Sequence, residues 1–237
     1  MSRSSHLVLD RVRLRRGERL VFDDLSLALS EPRVALVGAN GSGKSTLLRL
    51  AHGLALPDSG RVTTLGLETS RDRRLIPGRV GFLFQSPDRQ ILFPTVGEEV
   101  AFGFEDEATS RREALRLAAA CLARHRRGDW LERGVDTLSD GEKQLACLIA
   151  VTAREPGLLL LDEPFASLDL AARAAFSRRL VQLGIPLVMA SHDLDLVADF
   201  DRVVWLDAGA VRQDGRPQDV LPAFRAEMLR RGDGGEP

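Results

Sequence analysis

The chain has 237 residues, 44% of them apolar, enough for one substantial core with a smaller inserted subdomain. Its 33 lysines and arginines nearly cancel 34 acidic residues, and a net charge of −1 argues against a nucleic-acid protein that works through a broad positive field. There is no run of about 18 apolar residues and no signal-type apolar core near the start, so the sequence predicts a cytoplasmic protein, and any membrane association would come through a partner.

In chain order, Leu7 and Leu9, then Leu25, Leu27 and Leu29, alternate within residues 6–14 and 20–29 and predict an antiparallel hairpin. Residues 33–37 read as a short apolar strand. It runs into Gly38-Ala39-Asn40-Gly41-Ser42-Gly43-Lys44-Ser45, which fits the phosphate-loop pattern G-x-x-x-x-G-K-[ST] at every fixed position, and Thr46 opens a helical pattern. The glycines let backbone N–H groups turn toward phosphate oxygens at a helix start. Lys44 brings a charge to the β- and γ-phosphates, and the Ser45 hydroxyl suits Mg2+. The pattern predicts binding of a nucleoside triphosphate.

A loop follows at 57–60, then a buried strand at 80–84. Residues 95–154 carry mainly helical periodicity, with Ala114, Leu115, Ala118 and Leu122 on one stripe. Cys121 and Cys147 lie in these stretches without metal-ligand spacing and read as small buried hydrophobes of a reducing compartment. Leu138-Ser139-Asp140-Gly141-Glu142-Lys143-Gln144 has two readings. Ser139 and Glu142 make a capping box, and the same helix start, with its hydroxyl and glycine N–H, is a ready anion site. Because the first helix start already serves the chain's own triphosphate, the second would serve a second molecule.

Strands and helices then alternate: a strand at 158–161, a helix from about Leu170, a strand at 186–190, a helix near Leu194 and a strand at 203–206. That order implies a mostly parallel sheet covered on both faces. Asp162 and Glu163 follow four leucines, which places two carboxylates at the strand's C-terminal edge, where open α/β sheets bind ligands. Asp162 would hold Mg2+, and Glu163 would polarise the water that attacks the γ-phosphate.

With these motifs in this order, the chain resembles the ATPase subunit of ABC transporters over about residues 7–222. Residues 38–46 resemble the Walker A loop, 158–163 the Walker B strand and 138–144 the LSGGQ signature. Gln85 matches the Q-loop glutamine, Ser167-Leu168-Asp169 the D-loop, and Ser191-His192-Asp193 the switch histidine. The resemblance implies an α/β P-loop fold with a mostly parallel sheet core, an N-terminal antiparallel β part and an inserted helical subdomain. One ATPase domain would take core segments at about 1–90 and 155–225, a helical subdomain at about 91–154 and a flexible tail at 226–237.

The same resemblance implies a head-to-tail dimer with a second ATPase subunit, identical or related, holding two ATP molecules at the interface. One subunit's Gly38, Asn40, Gly41, Ser42, Gly43, Lys44, Ser45 and Thr46 would hold ATP, and the other's Ser139 and Gly141, beside Glu142, would meet its γ-phosphate. His192 would orient the attacking water with Glu163, while Asp169 belongs to the D-loop. Gln85 would join Ser45 and Asp162 at Mg2+ and report nucleotide state to a membrane partner. Asp140 and Glu142 depart from the family's usual glycine and glutamine, which puts negative charge near a triphosphate. The chain contains no tyrosine, and Arg15 or Arg16 aligns with the family's adenine-stacking aromatic; Arg16 is carried as the candidate.

Residues 85–103, with an F-Q-x-P-D-x-Q opening from Phe84 and a T-V-x-E-x-V-A-F-G close, are similar to energy-coupling-factor ATPases, which power uptake of cobalt, nickel, biotin and other vitamins. The implied partners are a transmembrane coupling protein and a substrate-binding membrane subunit, with no nucleic acid. The apolar run Ile91-Leu92-Phe93-Pro94 suits either docking of such a partner or packing under the helical subdomain. The alternatives are the ATPase of another ABC importer or exporter, or a soluble ABC ATPase acting on nucleic acid or ribosomes.

Overall fold

The computed structural model describes residues 5–104 and 109–233. In chain order its elements are β1 (Leu7–Arg16), β2 (Arg19–Leu29), β3 (Arg33–Val37), α1 (Lys44–Ala51), β4 (Ser59–Thr64), β5 (Leu67–Glu68), β6 (Val80–Leu83), α2 (Val96–Phe102), α3 (Arg111–Arg124) and α4 (Asp140–Thr152). There follow β7 (Leu158–Asp162), α5 (Leu170–Leu183), β8 (Leu187–Ala190), β9 (Arg202–Asp207), β10 (Ala210–Gly215) and α6 (Pro217–Asp233). The chain divides into two compact units, one of residues 1–80, 160–163 and 186–237, the other of 81–159 and 164–185.

The first unit carries the predicted hairpin. β1 and β2 pair antiparallel from Leu7 opposite Leu29 to Arg16 opposite Arg19, inside a sheet ordered β2-β1-β4-β5. Leu7 and Leu9, and after a register shift Val12 and Leu14, are buried, the pattern of a bulged strand with one face on a core. In the larger sheet β3 lies between β8 and β9, parallel to both, and β10 pairs antiparallel with β9 at the edge. Val34 through Val37 are fully buried, as a central parallel strand requires. This arrangement carries the C-terminal ends of β3, β7 and β8 to the same edge, from which the phosphate loop, Glu163 and His192 emerge.

Three local departures from the sequence reading have physical causes. The helix expected near Leu194 is a single turn, Asp195–Val197. The Asp193 N–H donates to the Ser191 hydroxyl and the Asp195 N–H to the Asp193 carboxylate, so side chains take bonds that a helix would need. Residues 226–233, expected to be loose, belong to α6, while 234–237 lie outside the described residues. Glu227 bonds to Arg230 and Arg231 one turn on, and Arg231 reaches Asp207 of β9. Those arginines hold the Glu227 carboxyl down at about 2, and Phe224 packs edge-on against Trp205. The third departure is β10, whose alternately exposed polar residues gave no strand signal.

In the second unit, α2, α3 and α4 share a core of Val96, Val100, Ala114, Ala118, Leu122, Trp130, Ala146 and Ile149. Ala114, Ala118 and Leu122 are fully buried, with Leu115 at the margin of the stripe. Cys121 and Cys147 are buried free thiols, and burial pushes Cys147 up to about 12. A Cβ on Gly81 of β6 would lie 2.7 Å from the Leu159 side chain, so the start of β7 packs tightly on β6 inside this unit. Beyond the expected helices, the unit also takes in residues 81–90, 155–159 and 164–185.

Candidate functional site

The first unit gathers one group of the predicted residues. Gly38 leaves β3 at φ 154°, where an added Cβ would collide with the Leu206 carbonyl and the Ser42 hydroxyl. Gly43, at φ 112°, is the N-cap of α1; a Cβ there would sit 2.7 Å from the Phe22 ring. Backbone conformation and close approach thus fix glycine at both positions. The loop is closed by the Ser42 N–H donating to the Ala39 carbonyl at 3.1 Å and by the Gly209 N–H donating to Ser42 O at 3.1 Å. Lys44, only 5% exposed, donates to the Gly38 and Ala39 carbonyls at 2.7 and 3.2 Å. Burial lowers its pKa, and the charges of Glu163 and Asp162 oppose that shift.

The Ser45 hydroxyl donates to Asp162 Oδ1 at 2.7 Å. Asp162 is 4% exposed, and burial raises its pKa against the Ser45 bond and nearby cations. A hydroxyl and a carboxylate are the hard oxygen donors that Mg2+ takes alongside substrate phosphates. Among the described residues no cluster of three or more His, Cys, Asp or Glu could hold a metal by itself.

Glu163 sits at φ 49°, a left-handed conformation rare for a glutamate, and its N–H donates to the Ala190 carbonyl at 3.0 Å. The β8 backbone therefore holds it in place. Its Oε2 lies 3.2 Å from His192 Nδ1, a contact that fixes which ring nitrogen the exposed imidazole turns outward. Thr46 is buried and Asn40 exposed at the rim of the loop. Arg16 is exposed at the end of β1, while the Arg15 guanidinium donates to Glu18 O within the hairpin turn. An arginine the sequence did not single out, Arg19, reaches the phosphate loop and donates to Gly41 O at 2.7 Å.

The second unit holds the other group. Gln85 is exposed just after β6. Ser139 caps α4, and the capping box is complete: Ser139 Oγ accepts from the Glu142 N–H, and Glu142 Oε2 accepts from the Ser139 N–H at 2.9 Å. Arg133 donates to both Glu142 oxygens, at 2.7 and 3.1 Å, and holds that carboxyl below its ordinary range. Gly141 faces α5, where an added Cβ would stand 3.1 Å from Ala172 Cβ. Asp169 caps α5 by accepting from the Ala172 N–H at 2.7 Å. The Gln144 amide donates to Pro164 O, and Lys143 pairs with Asp88 at 2.7 Å. Arg133 and Arg19 lie outside every motif, nine and 22 residues from the partners they reach, so no local sequence signal marks them.

The ABC transporter family model matches residues 22–166. The chain is 45% identical over 217 residues to the biotin transport ATP-binding protein BioM of Rhodobacter capsulatus, covering 92% of this chain and 93% of that one. It is 39% identical over 220 residues to the energy-coupling factor transporter ATP-binding protein EcfA1 of Symbiobacterium thermophilum, covering 90% and 77%. Among solved structures it is similar to cbiO1 of Clostridium perfringens, part of the ABC transporter complex cbiONQ, with TM-score 0.80 at 27% identity and coverage of 96% and 94%.

Proposed function

We infer that this chain, which belongs to the ABC transporter family and is an ATP-binding ATPase, powers a membrane importer of the energy-coupling-factor type. The observation that carries the chemistry is the continuous set in the first unit: Lys44 and Ser45 in the loop, Asp162 bonded to Ser45, and Glu163 beside it held against His192. The loop N–H groups from Gly41 to Thr46 bind the phosphates, and Lys44 exchanges its carbonyl partners for β- and γ-phosphate oxygens. Ser45 and Asp162 would hold Mg2+, which when bound neutralises charge on those oxygens. Glu163 accepts a proton from the attacking water, and His192 orients that water together with it. Catalysis of this kind is positioning and charge neutralisation.

Ser139 and Gly141 face the γ-phosphate of a second ATPase subunit in a head-to-tail dimer, and Gln85 reports nucleotide state to a membrane partner. No helix among the described residues is long and apolar enough to cross a membrane. The BioM relative favours a biotin-like vitamin as the solute, and the EcfA1 relative supports the energy-coupling-factor class. The test is to tag the chain in its native host, solubilise membranes in mild detergent and identify what co-purifies. A transmembrane coupling protein with a small membrane-embedded binding subunit is the expected result, and that subunit's ligand names the solute. Recovery with ribosomes or nucleic acid, or with an exporter, would overturn the importer reading and leave the ATPase chemistry intact.

A further inference from the structure

Arg133 is held from three sides before it meets the signature helix. Its Nε donates to Thr137 Oγ1 at 3.3 Å and its Nη2 to the Thr137 carbonyl at 3.1 Å. The guanidinium lies over the ring of Trp130, 5.6 Å from the centroid, and Trp130 is itself buried in the core of the helical unit. From that seat the two terminal nitrogens grip the two oxygens of Glu142. Glu142 Oε2 also accepts from Ser139 Oγ at 3.2 Å. One carboxylate therefore stands between a fixed guanidinium and the hydroxyl assigned above to the γ-phosphate.

A lone glutamate here would oppose an incoming triphosphate in two ways. It adds a negative charge close to the anion. It also competes for the single O–H proton that Ser139 can donate. An amide at this position would bring no charge and compete weakly. A bidentate arginine spreads the carboxylate's charge and occupies both of its oxygens, which weakens it as an acceptor for Ser139.

We propose that Arg133 is a positioning residue for ATP binding in trans: it neutralises and anchors Glu142, so that Ser139 can turn its hydroxyl from Glu142 to the γ-phosphate. The proposal rests on the signature reading under Proposed function. It makes the need for Arg133 conditional on Glu142, which a role confined to packing on Trp130 and Thr137 does not.

The experiment is a cycle in the full chain, reading ATP half-saturation and kcat separately. Arg133→Met, which keeps bulk over Trp130, should raise half-saturating ATP about fivefold with little change in kcat. In a Glu142→Gln background the same substitution should change it by less than about twofold. Arg133→Lys, which keeps the charge and spares the fold, should recover part of the loss. Equal losses in both backgrounds would overturn the proposal and leave Arg133 a scaffold residue. Ser139→Ala separates the two readings: if it weakens ATP use while the Arg133 losses are equal, this proposal alone fails. If Ser139→Ala changes nothing, the signature reading fails and takes the proposal with it.

Discussion

The two helix starts that the sequence marks as anion sites are built in opposite ways. α1 begins at a left-handed glycine with no side-chain cap and no acid in its first turn. α4 begins at Ser139 with a closed capping box and two acids, Asp140 and Glu142, in its first turn. An uncapped helix start offers its N–H groups and its dipole to a ligand. A capped one has satisfied some of those groups internally, and a ligand must compete for the rest. The first site is set by burial and backbone geometry, around a lysine 5% exposed and an aspartate 4% exposed. The second is set by side-chain charge near the surface, which single substitutions can tune.

The largest effect is expected at Lys44, the charge proposed above for the phosphates at the α1 site. Lys44→Ala should weaken ATP binding on the order of a hundredfold, measured by titration with a fluorescent ATP analogue. Retained affinity would mean that the loop amides suffice and that the contrast with α4 is smaller than drawn. Next comes the backbone. Gly43→Ala forces a side chain into φ 112° and against Phe22, and should cost about 1–3 kcal/mol of stability, read from denaturant unfolding, while ATP affinity falls as well. An unchanged midpoint would show that the loop is not held as tightly as its contacts imply. The smallest effect belongs to the tunable site. Asp140→Gly removes a negative charge from the first turn of α4 and should strengthen ATP-driven dimerisation about fivefold by sedimentation. Unchanged or weaker association in the variant would separate Asp140 from the interface.

How much was legible in the sequence follows the same division. The phosphate loop and the strand leading to Asp162 are local patterns, and strand, glycine spacing and carboxylates appear in the structure where they stand in the chain. The contacts that finish each site are not local. Arg19 meets Gly41 across 22 residues of chain, and Arg133 reaches Glu142 from beyond the helix; neither leaves a periodic trace. The end of α6 leaves no local signal for the same reason: its Arg231 pairs with Asp207, 24 residues away. Near Leu194 the error was local. Residues 193 and 195 fit a helical count, yet the Ser191 hydroxyl accepts from the Asp193 N–H and the Asp193 carboxylate from the Asp195 N–H, and the helix stops at one turn.

The base proposed for the attacking water is Glu163, held at a left-handed φ and against His192. Its most direct test is Glu163→Gln, with ATP affinity and turnover measured on the same preparation. The expected result is ATP affinity within about twofold of the wild type, turnover lower by about a hundredfold or more, and a dimer trapped with ATP. Turnover at the wild-type rate in Glu163→Gln would contradict it and take that residue out of the reaction.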